Sequence, residues 1–195
     1  PLKMPKFNDS QDSALASLVD CGKEILAKEG GPGSVQGPQR WLLVDVSGQR
    51  LALLVDGLVA WIRPVSTALA GIDCRQDSGG TPSGLHRIDE KIGGGFPWGT
   101  IFESRRPIGR TWSPGHTEPG DEDLILTRIL TLDGQELGVN RGPEVDSLQR
   151  YIYIHGTNHE GRSGQPVSHG CIRMTNDDEL ELIDQVEAGD PVVII

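Results

Sequence analysis

Cys171 stands in the run Val167-Ser168-His169-Gly170-Cys171-Ile172-Arg173-Met174, which carries the strongest chemical signal in the chain. A free thiol has a pKa near ~8.5, so only a few per cent is thiolate at neutral pH. A nucleophilic cysteine therefore needs a base or a set of converging N–H groups beside it. Two of the five histidines lie within reach in sequence: His169, two residues upstream, and His155, sixteen upstream. Together these residue types point to acyl transfer through a thioester.

The elements that must position them can be read from pattern. Tyr151 to His155 is a β-branched and aromatic run that reads as a strand delivering His155 to its own end. Residues 156 to 167 are polar and glycine-rich, a loop that can fold back. Gly170 then allows a tight turn and close backbone approach by a substrate. His155 and Cys171 can thus face each other as proton acceptor and nucleophile. No Asp or Asn stands at an obvious position to fix the imidazole tautomer, so a backbone carbonyl, such as that of Gly156, is the candidate orienter. The N–H groups of Gly170 and Cys171, with His169, are candidates for an oxyanion hole.

The ordinary alternatives differ for each residue. A lone Cys is more often a small buried hydrophobe, and a lone His at a strand end a hydrogen-bonded surface residue. It is the combination of Ser-His-Gly-Cys with an upstream strand-borne His-Gly that favours catalysis.

Around this centre the chain reads as mainly β. Residues 9 to 29 form an amphipathic helix, started by Asn8, Asp9 or Ser10, with Leu15, Leu18, Val19, Ile25 and Leu26 on one stripe and Gly30 as its stop. A Gly/Pro-rich linker follows. Strands are expected at 40–46, 50–55, 58–65, 84–88, 125–131, 151–155 and 191–195, with Asp56-Gly57 as a hairpin turn. Residues 89 to 123 read as a long loop. One more helix should follow the cysteine motif, with Asn176 as its cap, Glu179 as capping-box partner and Leu180, Ile183 and Val186 inside. The domains are then 1–38, helix and linker, and 39–195, the catalytic unit.

The totals fit one domain. The chain has 195 residues, 36% apolar, with 26 glycines and 13 prolines, a turn-rich profile. A net charge of −10 without any Lys/Arg-rich run opposes nucleic acid as a partner. No apolar stretch is long enough to span a membrane. Residues 1–6 lack the apolar core of a signal peptide, and with Pro at the first position that decides little. The three cysteines, Cys21, Cys74 and Cys171, contain no C-x-x-C pair, which argues against structural zinc. In an oxidising compartment Cys21 and Cys74 could pair and leave Cys171 free.

The segment from His155-Gly156-Thr157 through Ser168-His169-Gly170-Cys171-Ile172-Arg173-Met174 closely resembles the signature of the L,D-transpeptidase (YkuD) catalytic domain. Pro64-Val65-Ser66-Thr67 is similar to the family's Pro-Val-Ser-Thr-Gly turn, with Ala68 in place of Gly. Thr81-Pro82-Ser83-Gly84-Leu85-His86-Arg87-Ile88 is similar to its Thr-Pro-x-Gly-x-Phe-x-Ile strand, with His86 in the aromatic place. The end, from Ala188 to Ile195, resembles its closing strand.

The resemblance spans roughly residues 40–195 and implies a compact β-sandwich of mixed sheets. It implies that Cys171 attacks the L-centre carbonyl of an L,D peptide bond in a peptidoglycan stem peptide, and that D-alanine leaves. An amine of a neighbouring stem, or water, then resolves the thioester. By the same resemblance His155 is the proton donor and acceptor, Gly156 its carbonyl orienter, and His169, Gly170 and Cys171 the hole. Carbapenems acylate this cysteine in such domains. The implied location is the periplasm or cell envelope of a bacterium, and no cofactor or metal is implied.

Three further residues are substrate-binding candidates. Arg173, which departs from the Asn of part of the family, suits bidentate contact with a substrate carboxylate, or else makes a structural ion pair. Ser168 either touches substrate or stabilises the turn. Tyr153, like Trp98, lines the cleft or belongs to the core. Other functions remain in view: L,D-carboxypeptidation with water as acceptor, a metal-dependent hydrolase using His155, His159, His169 and Cys171, or a non-catalytic wall-binding module. Strand and loop around Gly156 argue against the helix face that a His155/His159 metal pair would need.

Overall fold

The computed structural model describes residues 9–29, 39–115 and 123–195. Among these residues there are two α-helices, α1 (Asp9–Glu29) and α2 (Asn176–Ile183), and ten strands. The strands are β1 (Arg40–Asp45), β2 (Arg50–Val55), β3 (Leu58–Pro64), β4 (Gly84–Ile92) and β5 (Thr100–Glu103), then β6 (Arg106–Thr111), β7 (Ile125–Gly134), β8 (Tyr153–Gly156), β9 (Ile172–Met174) and β10 (Pro191–Ile194).

They hydrogen-bond in the order β3-β2-β1-β10-β4-β7-β5-β6, with β8 on β7 and β9 on β8. The β1–β10 and β8–β9 pairs are parallel and the others antiparallel, so the sheet is mixed. The expected mainly β fold of mixed sheets with two helices is the fold observed.

The uninterrupted apolar runs of β1 and β2 follow from burial on both faces. Leu42, Val44, Leu51 and Leu53 point into a core shared with Leu130, Leu132, Ile154, Ile172, Met174, Val192 and Ile194. The β1–β3 side of the sheet therefore faces β7–β9 across one apolar layer, as a sandwich does. Trp41, Leu43, Ala52 and Leu54 point the other way and are covered by Leu15 and Val19 of α1. The helix comes so close that a Cβ at Gly22 would lie 2.6 Å from the Trp41 ring. Thus α1 packs on the sheet rather than standing off as an appendage.

Several expectations need correction. The stretch 89–123 is not one long loop: β4 runs on to Ile92, and β5 and β6 form a hairpin. Its tip is Ser104-Arg105, both at positive φ (45° and 72°), as a tight hairpin turn requires. The hairpin was illegible because β6 is exposed at nearly every position and shows no apolar alternation. Residues 116–122, which include His116, lie outside the described residues, as do Asn8 and the linker 30–38.

Strand β8 begins at Tyr153, because Tyr151 is in a turn with φ 60°. The cap of α2 is Thr175, whose hydroxyl accepts the Asp178 N–H at 3.2 Å, so Asn176 is the first helical residue. Glu179 is consequently buried rather than a capping-box partner, and α2 stops at Ile183, short of Val186.

His86 occupies the buried middle of β4 and ties it to the segment that leads into β8. Its Nδ1 meets the Gly84 carbonyl at 3.1 Å and its Nε2 meets Ser147 Oγ at 2.9 Å. The carbonyl can only accept, so Nδ1 carries the hydrogen and Nε2 accepts from the serine. Burial lowers its pKa to about 4 from an ordinary 6.5. The neutral ring is therefore the stable folded form, and its contribution is present above pH 6.5. That contribution, worth about 3 kcal/mol, is lost progressively as pH falls towards 4. In urea denaturation across pH 7 to 4, His86→Phe should flatten this part of the profile. An unchanged profile in the variant would remove His86 as its source.

Candidate active site

The site is built on the parallel pair β8–β9, in register Ile154↔Ile172, His155↔Arg173 and Gly156↔Met174. Ile154, Ile172 and Met174 are core residues. Strand alternation puts Tyr153, His155 and Arg173 on the opposite face. Extending the register one residue back brings Cys171 beside Tyr153, and it packs against the cluster of Phe102, Ile129 and Tyr153. His155 and Cys171 are thus diagonal neighbours on one face. Strand spacing of about 4.8 Å and a rise of about 3.3 Å per residue put such Cα atoms roughly 8 Å apart, a span that two side chains can close.

His155 is buried, and its Nδ1 lies 2.8 Å from the Gly156 carbonyl oxygen. Because that oxygen only accepts, Nδ1 holds the ring hydrogen and Nε2 is left with its lone pair free to take a proton. Burial lowers the imidazole pKa, the Gly156 carbonyl and Asp123 oppose this, and Arg173 adds to it. Cys171 is half-buried, and its sulfur donates to the Tyr151 carbonyl at 3.4 Å. Loss of hydration pushes the thiol up to about 12, against smaller opposite contributions from the Tyr153 N–H, Arg173 and Arg150. The resting pair at neutral pH is a thiol beside a neutral imidazole.

The cysteine turn is clamped from three sides. Ser168 is buried, and its hydroxyl donates to the Cys171 carbonyl at 2.6 Å while accepting the Gly170 N–H at 3.2 Å. Thr81 donates to the Gly170 carbonyl at 2.9 Å and accepts the Ala68 N–H at 3.0 Å. Ser66 and Arg173 exchange backbone hydrogen bonds, and Thr67 O accepts from Val167 and Ser168. The Pro64–Ala68 and Thr81 segments, far apart in sequence, therefore meet at the cysteine. Gly170 has φ 131°, and a Cβ there would lie 3.1 Å from Ile152 Cδ1 and 3.2 Å from Gly80 O.

The other candidates fall in distinct places. Arg173 is 2% exposed; its Nη1 is paired with Asp123 at 2.5 Å and its Nε has no partner. His169 is 89% exposed, with Nδ1 3.9 Å from the same carboxylate. Tyr153 is buried, and its hydroxyl accepts from Arg105 Nε at 2.8 Å. The Arg105 guanidinium also lies over the rings of Tyr151 and Tyr153. Trp98 belongs to a separate cluster with Ile101, Trp112 and Leu126. Cys21, Cys74 and Cys171 are all free thiols. Among the described residues no group of three or more His, Cys, Asp and Glu could hold a metal ion, and no helix is long and apolar enough to cross a membrane.

Sequence reasoning missed three charged residues of this region. Asp123 and Arg105 come from the stretch read as a loop and carry no local signature. Arg150 donates to the carbonyls of Asp73, Cys74 and Gly80, and so holds the loop beneath the cysteine turn. Its place immediately before the 151–155 strand was the one available hint.

The fold is thus a mixed β-sandwich with a cysteine and a buried histidine on one face of a parallel strand pair. Residues 39–194 match the family model described as YkuD, L,D-transpeptidase catalytic domain, and the chain belongs to that family. A curated relative, the putative L,D-transpeptidase YkuD of Bacillus licheniformis, is 43% identical over 82 residues, 36% of this chain and 50% of the relative. The chain thus matches about half the length of that relative. Among solved structures, an Enterococcus faecium L,D-transpeptidase mutant superposes with TM-score 0.50 at 18% identity, covering 81% of this chain and 50% of the other. The L,D-transpeptidase LdtMt1 in complex with imipenem gives 0.50 at 19% identity, covering 82% and 60%. At these identities the likeness speaks for the fold.

The turn geometry generates a direct test. Gly170→Ala should cost about 2 kcal/mol, because the positive φ and the contact with Gly80 O both oppose a side chain. Urea denaturation measures this, and an unchanged midpoint would mean the turn is not under that constraint.

Proposed function

We propose that the chain is a cysteine-dependent L,D-transpeptidase acting on peptidoglycan stem peptides in the bacterial cell envelope. The observation that carries this reading is the Nδ1–H···O=C bond from His155 to Gly156, which leaves Nε2 as a proton acceptor on the face shared with Cys171. His155 Nε2 takes the thiol proton as the sulfur forms a bond to the L-centre carbonyl carbon. The carbonyl oxygen becomes an oxyanion, met by the N–H groups of His169 and Cys171. The Gly170 N–H, already bonded to Ser168, joins only by sharing. Collapse breaks the C–N bond, and the departing D-alanine amine receives the proton from His155. An acceptor amine then attacks the thioester, loses its proton to His155 and releases the sulfur, which regains it. Water in the acceptor's place gives L,D-carboxypeptidation.

Burial and the bond to Asp123 favour a structural ion pair for Arg173, and the two bonds of Ser168 favour turn stabilisation. Tyr153, against the cysteine, supports a lining role beneath the scissile bond.

Because the thiol is protonated and His155 neutral at rest, activity should follow the imidazole. Lowering of its pKa puts the acid limb of the acylation rate below pH 6.5, with no rise near the ordinary thiol pKa of ~8.5. A rate that instead tracked titration near ~8.5 would mean thiolate forms without His155.

Carbapenem exposure followed by intact-mass spectrometry should give a covalent adduct on the wild type and none on Cys171→Ala. His155→Ala should be far more damaging than substitution of the exposed His169. Cross-linked dimers from incubated peptidoglycan mean transfer, and shortened stems alone mean hydrolysis. Acylation of Cys171→Ala at the wild-type rate would defeat the reading.

A further inference from the structure

Against Gly156, the residue after His155, lies a buried pair that the chemistry above does not use. Thr127 has φ 70°, a conformation that β-branched residues avoid. It sits where the β7–β8 ladder shifts register, between Leu126↔Gly156 and Ile129↔His155. Its hydroxyl accepts the Gly99 N–H at 3.0 Å and donates to Asn176 Oδ1 at 2.5 Å. Asn176, at the start of α2, spends its amide hydrogens on Thr157 O at 2.9 Å and Glu160 Oε1 at 2.7 Å. Those partners fix which end of the amide is oxygen: two acceptors face the nitrogen and one hydroxyl hydrogen faces the oxygen. Both residues are fully buried.

The pair presses directly on the backbone that orients the imidazole. A Cβ at Gly156 would lie 2.4 Å from Asn176 Oδ1 and 2.9 Å from Leu126 O, so glycine alone admits the amide at this distance. Gly156 and Thr157 offer consecutive carbonyls, one to His155 Nδ1 and one to Asn176 Nδ2. Holding the Thr157 carbonyl thus restrains the neighbouring peptide, with only the φ and ψ of Thr157 between them, and the amide packed on Gly156 limits it further. Backbone strain at Thr127 is held in place by the hydroxyl's two partners, and strain of this kind tends to sit where geometry serves a site.

We propose that Thr127 and Asn176 are positioning residues that hold the Gly156 carbonyl against His155 Nδ1 and so keep the ring in the tautomer with Nε2 free. The inference rests on the reading of His155 as proton acceptor, and both residues act on it through the Gly156 backbone.

The test is nitrogen NMR of the histidine-labelled protein, which reads the tautomer of His155 without any substrate. Wild type should show Nδ1–H. Asn176→Ala, and Thr127→Val, which keeps the shape and loses the hydroxyl, should move the population towards Nε2–H. Thr127→Ser should restore the wild-type signature. Carbapenem acylation of the same proteins should slow by roughly a hundredfold in the maximal rate, with the half-saturating concentration little changed, and recover in Thr127→Ser. Circular dichroism identifies variants that fold; should Asn176→Ala not fold, Thr127→Val carries the test. A folded Thr127→Val with unchanged tautomer and acylation rate would overturn the proposal. A shifted tautomer in a protein whose wild type is never acylated would uphold the positioning role and defeat the transpeptidase reading instead.

Discussion

The parallel ladder between β8 and β9 is the constraint on which the site depends. Setting Ile154 against Ile172 and Gly156 against Met174 sinks one face of both strands into the main apolar core. Alternation then leaves no choice for the other face, which must carry Tyr153, His155 and Arg173, with Cys171 next in line. A shift of one residue would place the isoleucines in the cleft and the imidazole in the core. The apolar residues therefore set the geometry of the candidate site, although their side chains lie on the opposite face.

The same face is short of water, and this decides its electrostatics. Separating a thiolate and an imidazolium there would forfeit hydration of both, so the resting pair is neutral, in line with the opposite displacements of the two pKa values. The charged pair on this face, Arg173 with Asp123, is internally neutralised, and its hydrogen bond is short. Its two members oppose one another at both His155 and Cys171, so the site feels little net field from them. In the proposed reaction charge develops mainly when a carbonyl is attacked, and the N–H groups of the cysteine turn are the donors closest in sequence to that event.

Much of this was legible in sequence, and the boundary has physical reasons. The apolar runs of β1, β2 and β10, the helix stripe of α1 and the Asp56-Gly57 turn are local patterns that tertiary packing reinforces. The Ser-His-Gly-Cys turn and the strand-borne His155 were legible because glycine and β-branched residues have strong local preferences. The β5–β6 hairpin was not, since its β6 strand is held by ladder bonds and a two-residue turn, with little apolar burial. Asp123 escaped because its partner, Arg173, lies fifty residues away, and no periodicity encodes such a contact. Thr175 displaced Asn176 as the helix cap because the hydroxyl, one residue earlier, meets the Asp178 N–H. That frees the Asn176 amide for the Thr157 and Glu160 contacts.

Several unfavourable features lie near the starts of β7, β8 and β9 and on α2. Thr127 and Tyr151 hold positive φ, Gly170 sits where a side chain would collide, and the Glu179 carboxyl is buried without a hydrogen bond. Burial pushes that carboxyl well above the usual range, so it is held neutral. Each of these costs stability that the shared core of β1, β7 and β10 must offset. A glycine at position 127 would accept the backbone conformation more readily. It would also leave the Gly99 N–H and the Asn176 oxygen without the hydroxyl that now serves both, in a region buried from bulk solvent. The hydroxyl, then, rather than the backbone, accounts for the threonine there, and the strain is the consequence of placing that hydroxyl between a strand and a helix.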